Sequence, residues 1–163
     1  MKSNHDTATI LFWGTSEFAV PSLQALLEAG FRVLGVVTTP DKPAGRKQLL
    51  TPPPVKVFAE SKKIPVYQPE TLKPAGYTLE LPEADLYVVA AYGKILRPEL
   101  LAIPQRGVVG VHPSLLPAYR GPAPIQQVLL EGVTETGGAT TAPSSGAATA
   151  SNGAGSASPV MIG

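Results

Sequence analysis

The 163-residue chain carries two histidines, and one of them stands where chemistry is expected. His112 ends the apolar run "GVVGV" (107–111) and precedes Pro113, Ser114, Leu115, Leu116 and Pro117. An imidazole at such a place can donate to a developing oxyanion or move a proton near neutral pH. The bland alternative is a strand-end histidine bonded to backbone. His5 lies in a polar N-terminal tail and reads as solvated. Leu115 and Leu116 are adjacent, so they point to different sides. One can enter the core while the other lines a pocket for a flat, partly apolar ligand, although a plain hydrophobic turn is the simpler reading. In "YRG" (119–121), Arg120 is an anion ligand, a loop anchor or an exposed turn residue. Four prolines between 111 and 126 exclude a regular helix through most of that stretch.

A second set of chemistry-bearing residues lies in "TPDKPAGRKQLLTPPP" (39–54), which holds five prolines with Asp41, Lys42, Arg46 and Lys47. Read as a sixteen-residue loop without structure of its own, it is unusual in a compact domain, and such loops are often functional. Its cations can meet phosphates, while its prolines limit the entropy lost on binding. The plainer alternative is a solvated insertion. Other chemistries are disfavoured. The chain has no cysteine, so it has neither a disulfide framework nor a thiolate metal site, and no metal is expected. "GTSEFA" (14–19) lacks the glycine spacing that lets a backbone approach a pyrophosphate. A net charge of +1 argues against a strong bulk field for nucleic acid, so any RNA contact comes from a local patch.

These residues need elements to hold them. "TILFWG" (9–14) reads as a buried strand and "TSEFAVPSLQALLEAG" (15–30) as a helix. Thr15 or Ser16 is available as its cap, and Gly30 stops it. Its apolar stripe is Phe18, Leu23, Leu26 and Leu27. Further strands are expected at 32–39, within 64–69, at 84–93 and at 106–113, with helices at 55–63, 97–104 and 123–132. Strands that are apolar on both faces and alternate with helices indicate an α/β, doubly wound parallel sheet. Ligands then bind beyond the carboxyl ends of the strands, at the loops after Gly14, after Ala90–Ala91 and after Val111. From residue 138 the composition changes to Gly, Ala, Ser and Thr without a charge or a period, and 138–163 is expected to be a disordered tail. The domain proper is expected at 8–137. No apolar run reaches membrane length, so a soluble, cytoplasmic protein is expected. A monomer is expected as well.

"GVVGVHPSLLPAYRGPAPIQ" (107–126) resembles the core motif of formyltransferases that use 10-formyltetrahydrofolate. "TPDKPAGR" with "TPPPVKVFAE" (39–60) resembles the acceptor-stem loop of methionyl-tRNA formyltransferases within that group, and "FWGTSEFAVPSL" and "VVAAYGKILRPELL" resemble the same family. Glycinamide ribonucleotide formyltransferases share the histidine motif without the proline-rich loop. Nucleotide-sugar amine formyltransferases keep "YRG" and differ in the loop. The resemblance covers about residue 8 to Gly137. It implies a Rossmann-like fold, 10-formyltetrahydrofolate as co-substrate and the acceptor stem of initiator methionyl-tRNA as partner. It implies an oxyanion donor at His112 and folate contacts from Ser114, Leu115, Leu116, Pro117, Tyr92 and Gly93. It also implies tRNA contacts from Arg46, with Lys42 and Lys47 beside it.

The chain departs from that pattern at two places. The family asparagine, two residues before the histidine, is Gly110 here, which has no side-chain donor. No Asp or Glu follows Glu135, so the family's later catalytic aspartate has no counterpart, and its C-terminal tRNA-binding domain is not seen. The expectation is a C-terminally truncated, impaired methionyl-tRNA formyltransferase domain. The alternatives are a nucleotide-sugar amine formyltransferase or a non-catalytic folate- or RNA-binding fragment.

Overall fold

A computed structural model of the chain describes residues 8–72 and 80–112, together with the backbone of 139–141. The chain divides into two compact units, one running to Val108 and one beginning at Val109.

The first unit is built on β1 (Thr9–Gly14), whose "ILFWG" is entirely buried. Such a run cannot have a solvent face, and it has none. β2 (Arg32–Val37) pairs in parallel on one side of β1 and β6 (Leu86–Ala90) on the other, and β5 (Val66–Tyr67) extends the sheet beyond β2. The order β5-β2-β1-β6 means that the chain first winds outward in one direction and then returns to the opposite side of β1. The carboxyl ends of β1 and β6 therefore flank the point where the winding reverses, the place at which open α/β sheets take their ligands. The expected α/β class with a parallel sheet is borne out.

Alternation along β1 sorts the core into two faces. Leu11 and Trp13 join Val37, Tyr87, Tyr92 and Val108 in one cluster, with Leu100 and Leu101 of α3 (Pro98–Leu101) packed against it. Ile10 and Phe12 belong to the other face. α1 (Val20–Glu28) and α2 (Pro54–Ser61) bury Leu23, Val55 and Ala59, lie against each other and lie against β2. Both helices carry proline in their first turn, where its missing N–H costs nothing.

Two expectations are corrected in this unit. The helix expected from residue 15 begins at Val20, after a single 3₁₀ turn at Glu17–Ala19, and neither Thr15 nor Ser16 caps it through a side chain. The Thr15 hydroxyl is committed elsewhere, as described below. The segment expected to be a structureless loop at 39–54 contains an antiparallel hairpin, β3 (Lys42–Ala44) and β4 (Leu49–Thr51). Gly45, at φ +70°, lets the chain reverse there. The reversal is closed by the Gln48 amide and side chain, both donating to the Gly45 carbonyl at 3.2 and 2.9 Å.

The second unit opens with most of β7 (Val108–His112) and contains β8 (Ala139–Thr141), which pairs antiparallel with it. β8 lies within the stretch from 138 that is expected to be irregular, so its first residues are corrected to a strand. Ala139–Thr141 is short, uncharged and partly β-branched, so its backbone can pair with a neighbouring strand although it offers no apolar period. The helix expected at 123–132, and the expected tail from 142 onward, lie outside the described residues.

Candidate functional site

Thr15, the first residue beyond β1, joins four segments. Its N–H donates to the Ala91 carbonyl (3.2 Å) and its hydroxyl to the Tyr92 carbonyl (2.7 Å), closing the end of β1 onto the end of β6. The same oxygen accepts from the Thr39 amide (3.4 Å) and the Thr38 hydroxyl (3.5 Å) beyond β2, and the Thr15 carbonyl accepts from the Val55 N–H of α2 (3.4 Å). Gly14 makes this closure possible. A Cβ there would come within 2.9 Å of the Ala90 carbonyl oxygen and of the Ala19 side chain.

The turn that receives those bonds is strained. Ala91 sits at φ 46° and Gly93 at φ +85°, so the backbone reverses sharply on leaving β6. Lys94 then donates to the carbonyls of Pro69 and Glu70, at 3.1 and 3.0 Å, fastening the turn to the segment after β5. Next to it, Ile95 is almost fully exposed.

Tyr92, expected among the folate contacts, is 2% exposed. Its ring meets Trp13 edge-on at 5.3 Å, and Trp13 meets Tyr87 at 5.4 Å. Among the described residues neither the Tyr92 hydroxyl nor Trp13 Nε1 has a hydrogen-bond partner. Burial pushes the Tyr92 phenol up to about 12, and burial raises Tyr87 as well. Tyr92 thus offers this site its carbonyl and its backbone turn, with Gly93 completing that turn.

His112 is half-buried at the end of β7, and Gly110 lies two residues earlier on the same face of that strand. In register they stand opposite Ala139 and Thr141 of β8. Ser114, Leu115, Leu116 and Pro117 lie outside the described residues. The three cations expected to meet RNA are all exposed on the hairpin. Arg46 and Lys47 occupy its turn, whereas Lys42 begins β3 opposite Thr51 at the other end. Among the described residues, no group of three or more His, Asp or Glu could hold a metal ion, and no helix is long and apolar enough to cross a membrane.

Sequence reasoning missed the fastening at the base of the hairpin. Lys56 of α2 donates to both carboxylate oxygens of Asp41 at 2.9 Å. Gln68, just beyond β5, donates to Asp41 at 2.6 Å and to the Thr39 carbonyl at 3.1 Å. Bonds from Gln68 and then Lys56 hold the Asp41 carboxyl below the usual range. The three partners are 15 and 27 residues apart in the chain, so no local pattern announces them.

The formyl transferase family model matches residues 8–142, most of the chain. The chain belongs to the formyl transferase family. As a formyl transferase domain, it has relatives called methionyl-tRNA formyltransferase in Chloroflexus aurantiacus, 52% identical over 130 residues, and in Listeria innocua, 55% identical over 130. Each match covers 78% of this chain and 42% or 41% of the relative, so the chain spans about two-fifths of their length. Among solved structures it resembles a glycinamide ribonucleotide transformylase from Symbiobacterium toebii. The TM-score is 0.62 at 19% identity, covering 99% of this chain and 78% of the other. A formyltetrahydrofolate deformylase from Pseudomonas syringae gives a TM-score of 0.55 at 20% identity, covering 83% and 45%. At those identities the likeness speaks for the fold.

Proposed function

We propose that this domain transfers the formyl group of 10-formyltetrahydrofolate to the amino group of initiator methionyl-tRNA in the cytoplasm. The observation that carries the reading is the identity of half or more with methionyl-tRNA formyltransferases, over a span that includes the β3–β4 hairpin. In the reaction the amine attacks the formyl carbon, and negative charge grows on the formyl oxygen. His112, at the carboxyl end of β7, is the side-chain donor for that oxygen. The Tyr92–Gly93 turn, shaped by Thr15 and by the strain at Ala91, contacts the folate. The acceptor stem meets the hairpin, where the Arg46 guanidinium holds a phosphate or base edge in a fixed fork and Lys42 and Lys47 add point charges.

Gly110 supports a slower enzyme, because it supplies no side-chain donor beside His112. Loss of one oxyanion donor typically costs ~10²–10³ in rate. The same residue favours the second reading, a module that binds folate or RNA without catalysis. Formylation of a nucleotide-sugar amine is disfavoured by the "PDKPAGR" hairpin.

An assay with 10-formyltetrahydrofolate and charged initiator tRNA tests the proposal. Little formylmethionyl-tRNA is expected from the chain as it stands, and Gly110→Asn is expected to raise the yield. Binding of both substrates with no product from either form would favour the module. In a full-length relative with this hairpin, Arg46→Ala should lower kcat/KM for tRNA and spare the folate KM. An equal loss for both substrates would reject Arg46 as an RNA contact.

A further inference from the structure

The β3–β4 hairpin is exposed along both strands, and among the described residues no other element packs extensively against it. Its direction is therefore decided at its two legs. One leg enters α2 through Pro52, Pro53 and Pro54, which fix their own φ angles. The other leg is Thr39–Pro40–Asp41. The described bonds on this leg all run through side chains: Asp41 is bonded to Lys56 on α2 and to Gln68 beyond β5, Gln68 also donates to the Thr39 carbonyl, and the Thr15 hydroxyl accepts from the Thr39 amide.

We infer that Asp41, Lys56 and Gln68 form a clamp that aims the hairpin, making them positioning residues for the RNA substrate without touching it. This rests on the reading of the hairpin as the tRNA contact. Arg46 lies five residues beyond Asp41, roughly 15 Å along an extended strand. A modest rotation at the base becomes several ångströms at the guanidinium, more than a bidentate contact tolerates. The clamp's geometry suits this work. Lys56 spans both carboxylate oxygens, and Gln68 bonds two points of the same leg, so rotation of that leg breaks several bonds together. The ion pair joins the leg to α2, and the amide joins it to the segment after β5, so the leg is referenced to two separate parts of the sheet unit.

The experiment uses the full chain. It has no cysteine, so Leu50→Cys on the hairpin and Ala25→Cys on the exposed face of α1 give two unique nitroxide sites. The distance distribution between the labels is measured with Asp41 intact, with Asp41→Ala, with Asp41→Asn and with Lys56→Met. Affinity for an RNA minihelix carrying an initiator acceptor stem, and for 10-formyltetrahydrofolate, is measured on the unlabelled proteins. Expected is one narrow distribution with the clamp intact. Asp41→Ala and Lys56→Met should broaden it, and Asp41→Asn, whose amide oxygen can still accept from Lys56 and Gln68 at one position but loses the second Lys56 bond, should restore it in part. RNA affinity should fall about fivefold in the broadened variants, with folate binding unchanged. An unchanged distribution in both Asp41→Ala and Lys56→Met would overturn the clamp. Broadening without loss of RNA affinity would overturn its role in positioning. Failure of the parent chain to bind the minihelix would instead strike at the tRNA reading itself, and is distinguished by appearing before any substitution is made.

Discussion

β1 and the β3–β4 hairpin are opposite solutions to holding a short strand. Ile10, Leu11, Phe12 and Trp13 are wholly buried between two parallel neighbours, whereas Leu49 and Leu50 are 65% and 72% exposed and pair only across their own turn. The first strand is held by burial, which is strong and non-directional. The second is held by a glycine turn and a polar clamp at its base. The contrast separates two duties. Substitutions along β1 should be felt in stability. Substitutions on the hairpin should be felt in what the domain binds.

The largest break of that contrast is Trp13→Ala. Removing an indole from between Tyr87 and Tyr92 should cost about 3–5 kcal/mol, read by chemical denaturation. A loss under 1 kcal/mol would mean that β1 is not the keystone of the sheet. Thr15→Val should cost about 1–3 kcal/mol, because it strands the Tyr92 carbonyl and removes the acceptor of the Thr39 amide. Thr15→Ser should recover most of that loss, and a serine no better than valine would refute the hydrogen-bond account.

Tyr92→Phe should act in the opposite direction. It deletes a buried hydroxyl without a described partner, so stability should rise by up to about 1 kcal/mol. The pH dependence sharpens this. The folded phenol is raised from 10.0 to about 12, so the folded state holds the proton more tightly than the unfolded chain. That contribution is fully present below pH 10 and is lost as pH climbs from 10 toward 12. Denaturation midpoints of the parent chain should fall across that window, and those of Tyr92→Phe should fall less. Parallel slopes would show that Tyr92 is not the group responsible. Smallest of all, Leu50→Ser should change stability by no more than about 0.5 kcal/mol, as expected for an exposed side chain. A larger loss would mean that the hairpin packs against more than its own turn.

Much of the sheet unit was legible in the chain. The apolar runs at 9–14, 32–37 and 86–90 are continuous, and only a strand covered on both faces needs that. The helix start was misread because Thr15 has the chemistry of a cap, and a cap is a local explanation. Its hydroxyl instead bonds a carbonyl 77 residues away. Tyr92 entered only through the family resemblance, and packing against Trp13 turns its ring inward, leaving the backbone turn to face the site.

By itself, the sequence determined the class of fold, the alternation of strand and helix, the cations between Lys42 and Lys47 and the presence of Gly110 two residues before His112. Those features are written in neighbouring residues, through period, composition and turn chemistry. Tertiary structure alone decided what Thr15 bonds, which way Tyr92 faces and how the hairpin is fastened. Each of those outcomes depends on partners between 15 and 79 residues distant, brought together only when the sheet closes. A hydroxyl, a ring or a carboxylate can satisfy itself in several ways, and the one realised is set by which neighbours folding delivers.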